Sequence, residues 1–149
     1  MIIPVDETNV LQAAAVHATA WRDSHRAFCT PEFIELHTTD RQRKYLCDKI
    51  DGGTKVFMLV DERPVGIVSI TGGLIEDLYV LPEYQHRGYG TRLLDWAVSC
   101  CMEIPTLWIL DNNDRARYLY EKYGFHETGN VHQLTENLSE IEFSLKTGE

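Results

Sequence analysis

The chain has 149 residues, enough for one domain with a substantial core, and its 44% hydrophobic and 25% charged residues are globular proportions that argue against disorder. Fourteen basic against twenty-three acidic residues give a formal charge of −9, which leaves no basic footprint for nucleic acid and favours cationic partners such as amines. No run of about twenty apolar residues offers a membrane span, and the opening MIIPVDETNV lacks the basic and apolar regions of a secretory signal.

Met1 to Val5 reads as a short opening strand. Asp6 or Thr8 can cap a helix running to about Phe28, with Val10, Leu11, Ala14, Ala18, Trp21 and His25 along one stripe. Cys29 follows, and Thr30-Pro31 reads as cap and first residue of a short helix through about Leu36. Thr39 or Asp40 starts a third helix, which contains Cys47 and is ended by Gly52-Gly53. From Lys55 the period becomes that of strands. KVFMLV, a turn at Asp61-Glu62-Arg63-Pro64 and VGIVSI make a hairpin, and Gly72-Gly73 leads into a third strand, Leu74 to Val80. Such short links make the three antiparallel.

Pro82 stops the strand. After Gln85-His86-Arg87-Gly88-Tyr89-Gly90 the pattern turns helical, with Leu93, Leu94, Ala97, Val98 and Cys101 on one stripe. This helix is expected to end near Ile104-Pro105, with Cys100 and Cys101 as small core fillers. TLWIL, residues 106–110, is a strand, and the helical crossover before it makes it parallel to Leu74–Val80. A helix from Asp114 to Tyr123 is closed by Gly124, and FHETGNV and EIEFSL form a terminal antiparallel pair. The expected fold class is α+β: one domain over residues 1–149, with a mixed, mostly antiparallel central sheet flanked by helices. The four cysteines show neither a Cys-x-x-Cys pair nor zinc spacing with histidine, so no metal site is expected, and free thiols fit a reducing cytoplasm.

A strand, a glycine turn and a helix start make an anion site. The first backbone N–H groups of a helix lack intrahelical partners and point outward with the positive end of the dipole behind them. Gly88 and Gly90 let a phosphate approach the backbone, Arg87 adds charge, and Thr91 adds a hydroxyl. A P-loop would need Gly-Lys-Ser or Gly-Lys-Thr where Gly90-Thr91-Arg92 stands. A dinucleotide fingerprint would need glycine at Leu93.

The spacing Gln85-x-x-Gly88-x-Gly90 after a strand resembles instead the acetyl-CoA pyrophosphate loop of the GNAT family of N-acetyltransferases. Downstream, Asn113, Ala116 and Tyr120-Glu121-Lys122-Tyr123-Gly124-Phe125 resemble that family's C-terminal Asn-x-x-Ala…Tyr-Glu-Lys-x-Gly-Phe segment, with Tyr120 seven residues after Asn113 as in the family. The order of elements also matches, from residue 1 to about 145. The resemblance implies a GNAT-like acyl-CoA N-acyltransferase fold. In it, strands 74–80 and 106–110 splay apart and pantetheine pairs with the backbone of Leu78, Tyr79 and Val80. The pyrophosphate is expected on the amides of Gln85, His86, Arg87, Gly88, Tyr89, Gly90 and Thr91, with Asn113 binding the pantetheine arm. The plainer reading of Asn113 is a helix-entry residue beside Asn112 and Asp114; the ligand role is favoured, and the two can coexist.

Acetyl transfer from a thioester to an amine needs a base for an amine whose pKa is about 10.4 and an acid for the departing thiolate. The resemblance places Tyr120 near the sulfur, and a phenol of pKa about 10 is close to a thiol's range, so Tyr120 is the candidate acid. Tyr118 and Tyr123, on other faces of the helix, read as packing residues. For the base, strand alternation puts Glu76 and Asp77 on opposite faces, Glu76 with Leu74, Leu78 and Val80. Glu76 is favoured, directly or through water, while water alone and a structural role for Asp77 remain open. A backbone N–H at or near Val80 would hold the oxyanion. Trp21, His25 and Phe28 on one helical flank, with Trp108, are candidates for the acceptor wall, against core packing as the plainer reading. The implied activity is transfer from acetyl-CoA, a co-substrate, to a primary amine of a small molecule or protein, in the cytoplasm, with no nucleic acid or membrane partner. A homodimer is plausible by resemblance only. The competing reading is a non-catalytic CoA-binding sensor or interaction domain.

Overall fold

In the computed structural model, which describes residues 1–27 and 29–145, seven strands form one sheet. They are β1 (Ile2–Pro4), β2 (Lys55–Asp61), β3 (Arg63–Thr71), β4 (Leu74–Val80), β5 (Thr106–Leu110), β6 (Phe125–Thr135) and β7 (Leu138–Leu145). Their order is β1-β2-β3-β4-β5-β7-β6, and only the β4–β5 contact is parallel. The helices are α1 (Val10–His25), α2 (Pro31–Glu35), α3 (Thr39–Asp51), α4 (Tyr89–Cys100) and α5 (Asp114–Tyr123). The α+β class and the mixed, mostly antiparallel sheet follow the sequence reading. The terminal hairpin does more than extend the sheet, because β7 inserts between β5 and β6.

Apolar periodicity sets the two layers. Val10, Ala13, Ala14 and Leu46 of α1 and α3 pack on Val56, Met58 and Ile67. On the other side, Leu93, Leu94, Ala97 and Tyr120 of α4 and α5 pack on Val68, Ile70, Leu107 and Phe143. Leu93 and Leu94 are fully buried, each contributing about 1.5–3 kcal/mol. Thr30, Thr38 and Asn113 cap α2, α3 and α5 through their side-chain oxygens.

Several expectations are corrected. Asn9, rather than Asp6 or Thr8, occupies the α1 N-cap position, and Asp6 is engaged by the backbone N–H of Thr8. Leu11 is 58% exposed, while His17 takes a place on the buried stripe beside Val10, Ala13 and Ala14. α1 ends at His25, and Phe28 lies outside the described residues. The β2–β3 turn is tighter than expected: Glu62 adopts a positive φ of 67° and β3 starts at Arg63. α4 stops at Cys100 because Cys101 turns extended, and both cysteines pack against the core.

The correction with most consequence lies in β4. Ser69 pairs with Asp77 and Ile70 with Ile75, so Glu76 is an extra residue, a β-bulge. Alternation fails there. Glu76 meets Lys49 of α3 and Asp77 meets Tyr45 of α3 and His17 of α1. Both acids therefore face the α1–α3 layer, and Glu76 does not share the face of Leu78 and Val80, which pack against the α4–α5 core.

Candidate active site

β4 and β5 touch at one end and part at the other. Their only paired register is Leu74 with Thr106, where the Thr106 N–H donates to the Gly73 carbonyl at 2.8 Å. Glycine is required at this junction, since a Cβ on Gly73 would lie 2.8 Å from the Ile104 carbonyl oxygen. Beyond it, β5 pairs with β7 along its whole length. The β4 edge that carries Leu78, Tyr79 and Val80 is left without a strand on that side. Such an edge presents unpaired backbone donors and acceptors to an extended ligand.

The glycine turn stands just past the end of β4. Pro82–Tyr84 form a short 3-10 turn, His86 and Gly88 have φ of 65° and 85°, and Gly88 is the N-cap of α4. No side chain caps α4, so the N–H groups of Tyr89, Gly90 and Thr91 at its start keep the free donors of a helix N-terminus. A Cβ on Gly88 would meet nothing within 4 Å, so open space borders the turn at this residue. A diphosphate fits this donor set. The loop is held from below. Gln85 donates to the Val80 carbonyl at 3.3 Å, and Arg115 of α5 reaches Gln85 Oε1 at 2.6 Å and His86 Nε2 at 3.2 Å. Arg87 lies over the Tyr84 ring and Arg92 over the Tyr89 ring, so three arginines surround the turn in a chain of formal charge −9.

Tyr120 projects from α5 into the core, 8% exposed, against Phe125. Burial alone pushes its phenol up to about 12. A thiolate formed in the same dry space is destabilised by the same burial, so acid and leaving group keep a workable match. Asn113 Oδ1 accepts the Ala116 N–H at 3.2 Å, so the capping role is real, and its amide NH₂ is left to donate elsewhere. Tyr118, expected to pack, is 69% exposed, whereas Tyr123 bonds Asp95 at 2.6 Å.

On the α1–α3 face the two bulge acids have different surroundings. Lys49 Nζ lies 2.7 Å from Glu76 Oε2, which pairs the charges although the oxygen is outside hydrogen-bond geometry. Asp77 Oδ2 accepts Ser69 Oγ at 2.6 Å and Tyr45 Oη at 3.0 Å, and Oδ1 is 3.8 Å from His17 Nε2. The His17 ring stacks on Tyr79, with centroids 5.1 Å apart. Burial first, then the Asp77 carboxylate and the phenols of Tyr120 and Tyr45, raise the Tyr79 hydroxyl well above its usual range. Tyr79 thus packs with His17 on the α1–α3 face.

Trp21 is held between His25 and His37, with centroids 4.0 and 3.4 Å away, and Phe33 closes the cluster. His25 and His37 each direct Nδ1 at a carbonyl four residues back, at 2.9 and 3.1 Å. Burial keeps both imidazoles below their ordinary range. Trp108 is not part of this wall; it stacks on His132 of β6. Sequence reasoning overlooked Arg115, His17, Tyr45 and Lys49. A basic residue between Asn113 and Ala116, and one polar residue on the apolar stripe of α1, were the available signals. A surface depression of about 330 Å³ along α5, lined by Arg117, Tyr118 and Lys122 among others, contains none of these groups. Among the described residues no cluster of histidine, cysteine or acidic side chains is arranged to hold a metal, and no helix is long and apolar enough to cross a membrane.

Known proteins resemble this chain in sequence and in fold. A family model described as an acetyltransferase (GNAT) domain matches residues 52–127. The aminoglycoside N(6')-acetyltransferase type 1 of Acinetobacter baumannii is 27% identical over 148 residues, covering 92% of this chain and 98% of that one. The peptidyl-lysine N-acetyltransferase YjaB of Escherichia coli is 32% identical over 76 residues, 50% of this chain and 51% of its own. Among solved structures, the PaiA N-acetyltransferase of Thermoplasma acidophilum in complex with coenzyme A superposes with a TM-score of 0.70 at 16% identity, covering 95% of this chain and 96% of that one.

Proposed function

The chain belongs to the GNAT family of acetyltransferases, and we propose that it transfers the acetyl group of acetyl-CoA directly to a primary amine. The observation that carries the reading is the parted edge of β4 with the free donors of the α4 N-terminus just past its end, and Tyr120 in the same apolar cluster as Leu78 and Val80. In this reading the diphosphate lies on the amides from Gln85 to Thr91, flanked by Arg87 and Arg115. The pantetheine arm runs along Leu78, Tyr79 and Val80, and the Asn113 amide donates to it. The amine nitrogen attacks the thioester carbon, a backbone N–H near Val80 stabilises the oxyanion, and Tyr120 gives its proton to the departing sulfur. The amine proton leaves toward the α1–α3 face of the bulge, where Glu76, the base expected from the sequence, is held in an ion pair with Lys49.

The acceptor is first a small amine and second a protein amino group, in keeping with one relative named for aminoglycosides and another for peptidyl-lysine. Four free cysteines suit a cytoplasmic setting. The test has two arms. Coenzyme A should raise the melting temperature, as any ligand of the folded state does. Thiol release from acetyl-CoA should rise over its hydrolytic background with at least one of kanamycin, spermidine and a lysine peptide. Coenzyme A binding without turnover would make the domain a sensor; no binding would remove both readings.

A further inference from the structure

The proposed reaction needs an acceptor for the amine proton, and the interior of the α1–α3 face holds a group that nothing above uses. His17 is 2% exposed, and its Nδ1 is buried without a hydrogen-bond partner. An orphan of this kind costs about 1–3 kcal/mol, so its presence in the middle of α1 requires a reason. The other ring nitrogen, Nε2, faces Asp77 Oδ1 at 3.8 Å. That carboxylate is already fixed by Ser69 and Tyr45 through Oδ2. An ionised Asp77 favours the tautomer with hydrogen on Nε2 and leaves the Nδ1 lone pair bare. Asp77 is also the bulge acid without a lysine beside it, since Lys49 pairs with Glu76.

Resting on the acetyltransferase reading, we propose that His17, oriented by Asp77, is the proton acceptor of this site, in place of Glu76. The step balances. The ammonium R–NH₃⁺ gives one proton to His17 Nδ1, through water past Tyr79, and its freed lone pair attacks the thioester carbonyl carbon. The C–N bond forms, the C–S bond breaks, and the sulfur takes the Tyr120 proton. The adduct nitrogen gives its second proton to the Tyr120 phenolate as the amide forms, and the imidazolium, held opposite Asp77, returns its own to solvent, with a net release of one proton.

The groups that face His17 suit the role. Asp77 and Tyr79 come from β4, Tyr45 from α3, His25 from its own helix and His37 from the segment after α2. Burial is the largest influence on the imidazole and holds it below its ordinary range, Asp77 acts the other way, and His37 and His25 add to the lowering. His17 is therefore neutral, and able to accept, at neutral pH.

The experiment is a pH profile of kcat/KM for whichever of kanamycin, spermidine and a lysine peptide turns over, with wild type, His17→Gln, Asp77→Asn and Glu76→Gln. Wild type should be flat between about pH 7 and 9, because the enzyme deprotonates a bound ammonium. His17→Gln should fall at least about tenfold at pH 7 and climb about tenfold per pH unit toward the amine's own pKa, since only free amine then reacts. Its coenzyme A affinity should be unchanged. Asp77→Asn should move the wild-type acid limb, and Glu76→Gln should leave the profile in place. A His17→Gln profile parallel to wild type, or a Glu76→Gln profile that acquires the slope, overturns the assignment. Should His17→Gln fail to fold, imidazole NMR on wild type decides. Hydrogen on Nε2 and titration along the acid limb support the proposal, and an imidazole that does not titrate there overturns it. If coenzyme A binds but no amine reacts, the enzyme reading fails and this assignment goes with it.

Discussion

Gly88 and Gly90 are two residues apart, and alanine at the two positions should change stability in opposite directions while weakening coenzyme A binding in both. Gly88 sits at φ 85° with nothing within 4 Å of a built Cβ, so alanine there meets no clash and only backbone strain. That strain is about 1–2 kcal/mol, a fall in melting temperature of about 2–8 °C for a chain of this size. Gly90 lies inside α4, and its Cβ would rest 3.9 Å from Leu119 Cδ2, an ordinary contact. Alanine there stabilises the helix by about 0.4–1 kcal/mol, a rise of about 1–4 °C. If the diphosphate sits on this turn as proposed, each methyl crowds its approach to the free N–H groups. Loss of one charge-assisted hydrogen bond is about 1.5–3 kcal/mol, or about ten- to a hundredfold in Kd. Thermal melts without ligand and calorimetric titration with coenzyme A measure the two effects separately. A stabilised Gly90→Ala protein that still binds coenzyme A within about threefold of wild type would show that the phosphates are held elsewhere.

Tyr120→Phe should lower kcat by about a hundredfold or more with the Kd for coenzyme A unchanged; full turnover would remove the phenol as the acid. Asn113→Ala removes a cap seen in the structure, so the melting temperature should drop by about 2–4 °C for a loss near 1 kcal/mol. Weaker coenzyme A binding in the same variant would show that the amide also serves the ligand, and unchanged binding would leave only the cap. Burial holds His17 and His25 below the ordinary imidazole range. The unfolded chain then takes up protons first, near pH 6.5, so their contribution to stability is whole above that pH and drains away as acid is added. Melting temperature should fall between about pH 7.5 and 5.5, and less steeply in His25→Leu; equal slopes would place the acid sensitivity in other groups.

Much of this site was legible because it depends on local chemistry. Pro82, Gly88, Gly90 and the stripe from Leu93 mark a strand end, a turn and a helix start by rules that need no distant partner. The segment from Asn113 to Phe125 was read in a different way, through its resemblance to the GNAT family's C-terminal motif. The two acids show where such reading stops. Alternation along β4 put Glu76 and Asp77 on opposite faces, but the pairing partner decides whether a residue is counted in the ladder, and β3 skips Glu76. His17 was overlooked for a related reason. A histidine among alanines on a helix looks like a polar interruption until α3 and β4 close over it. Leu11 failed in reverse, as an apolar residue with no neighbour to cover it. The place of β7 between β5 and β6 depends on contacts between distant segments, which periodicity does not contain.

The single backbone register joining β4 to β5 has a mechanical consequence. The molecule's hydrogen-bond lattice is nearly divided there, while its apolar interior continues unbroken from Leu59 to Phe143. Such a joint lets the two parts widen or narrow by side-chain sliding, with no ladder to break. An extended thioester arm lying in the gap would take the part of the missing strand and lock it. Amide exchange along Ile75–Val80 and Leu107–Leu110 should then slow on saturation with coenzyme A, while exchange in β2, distant from the gap, stays as it was.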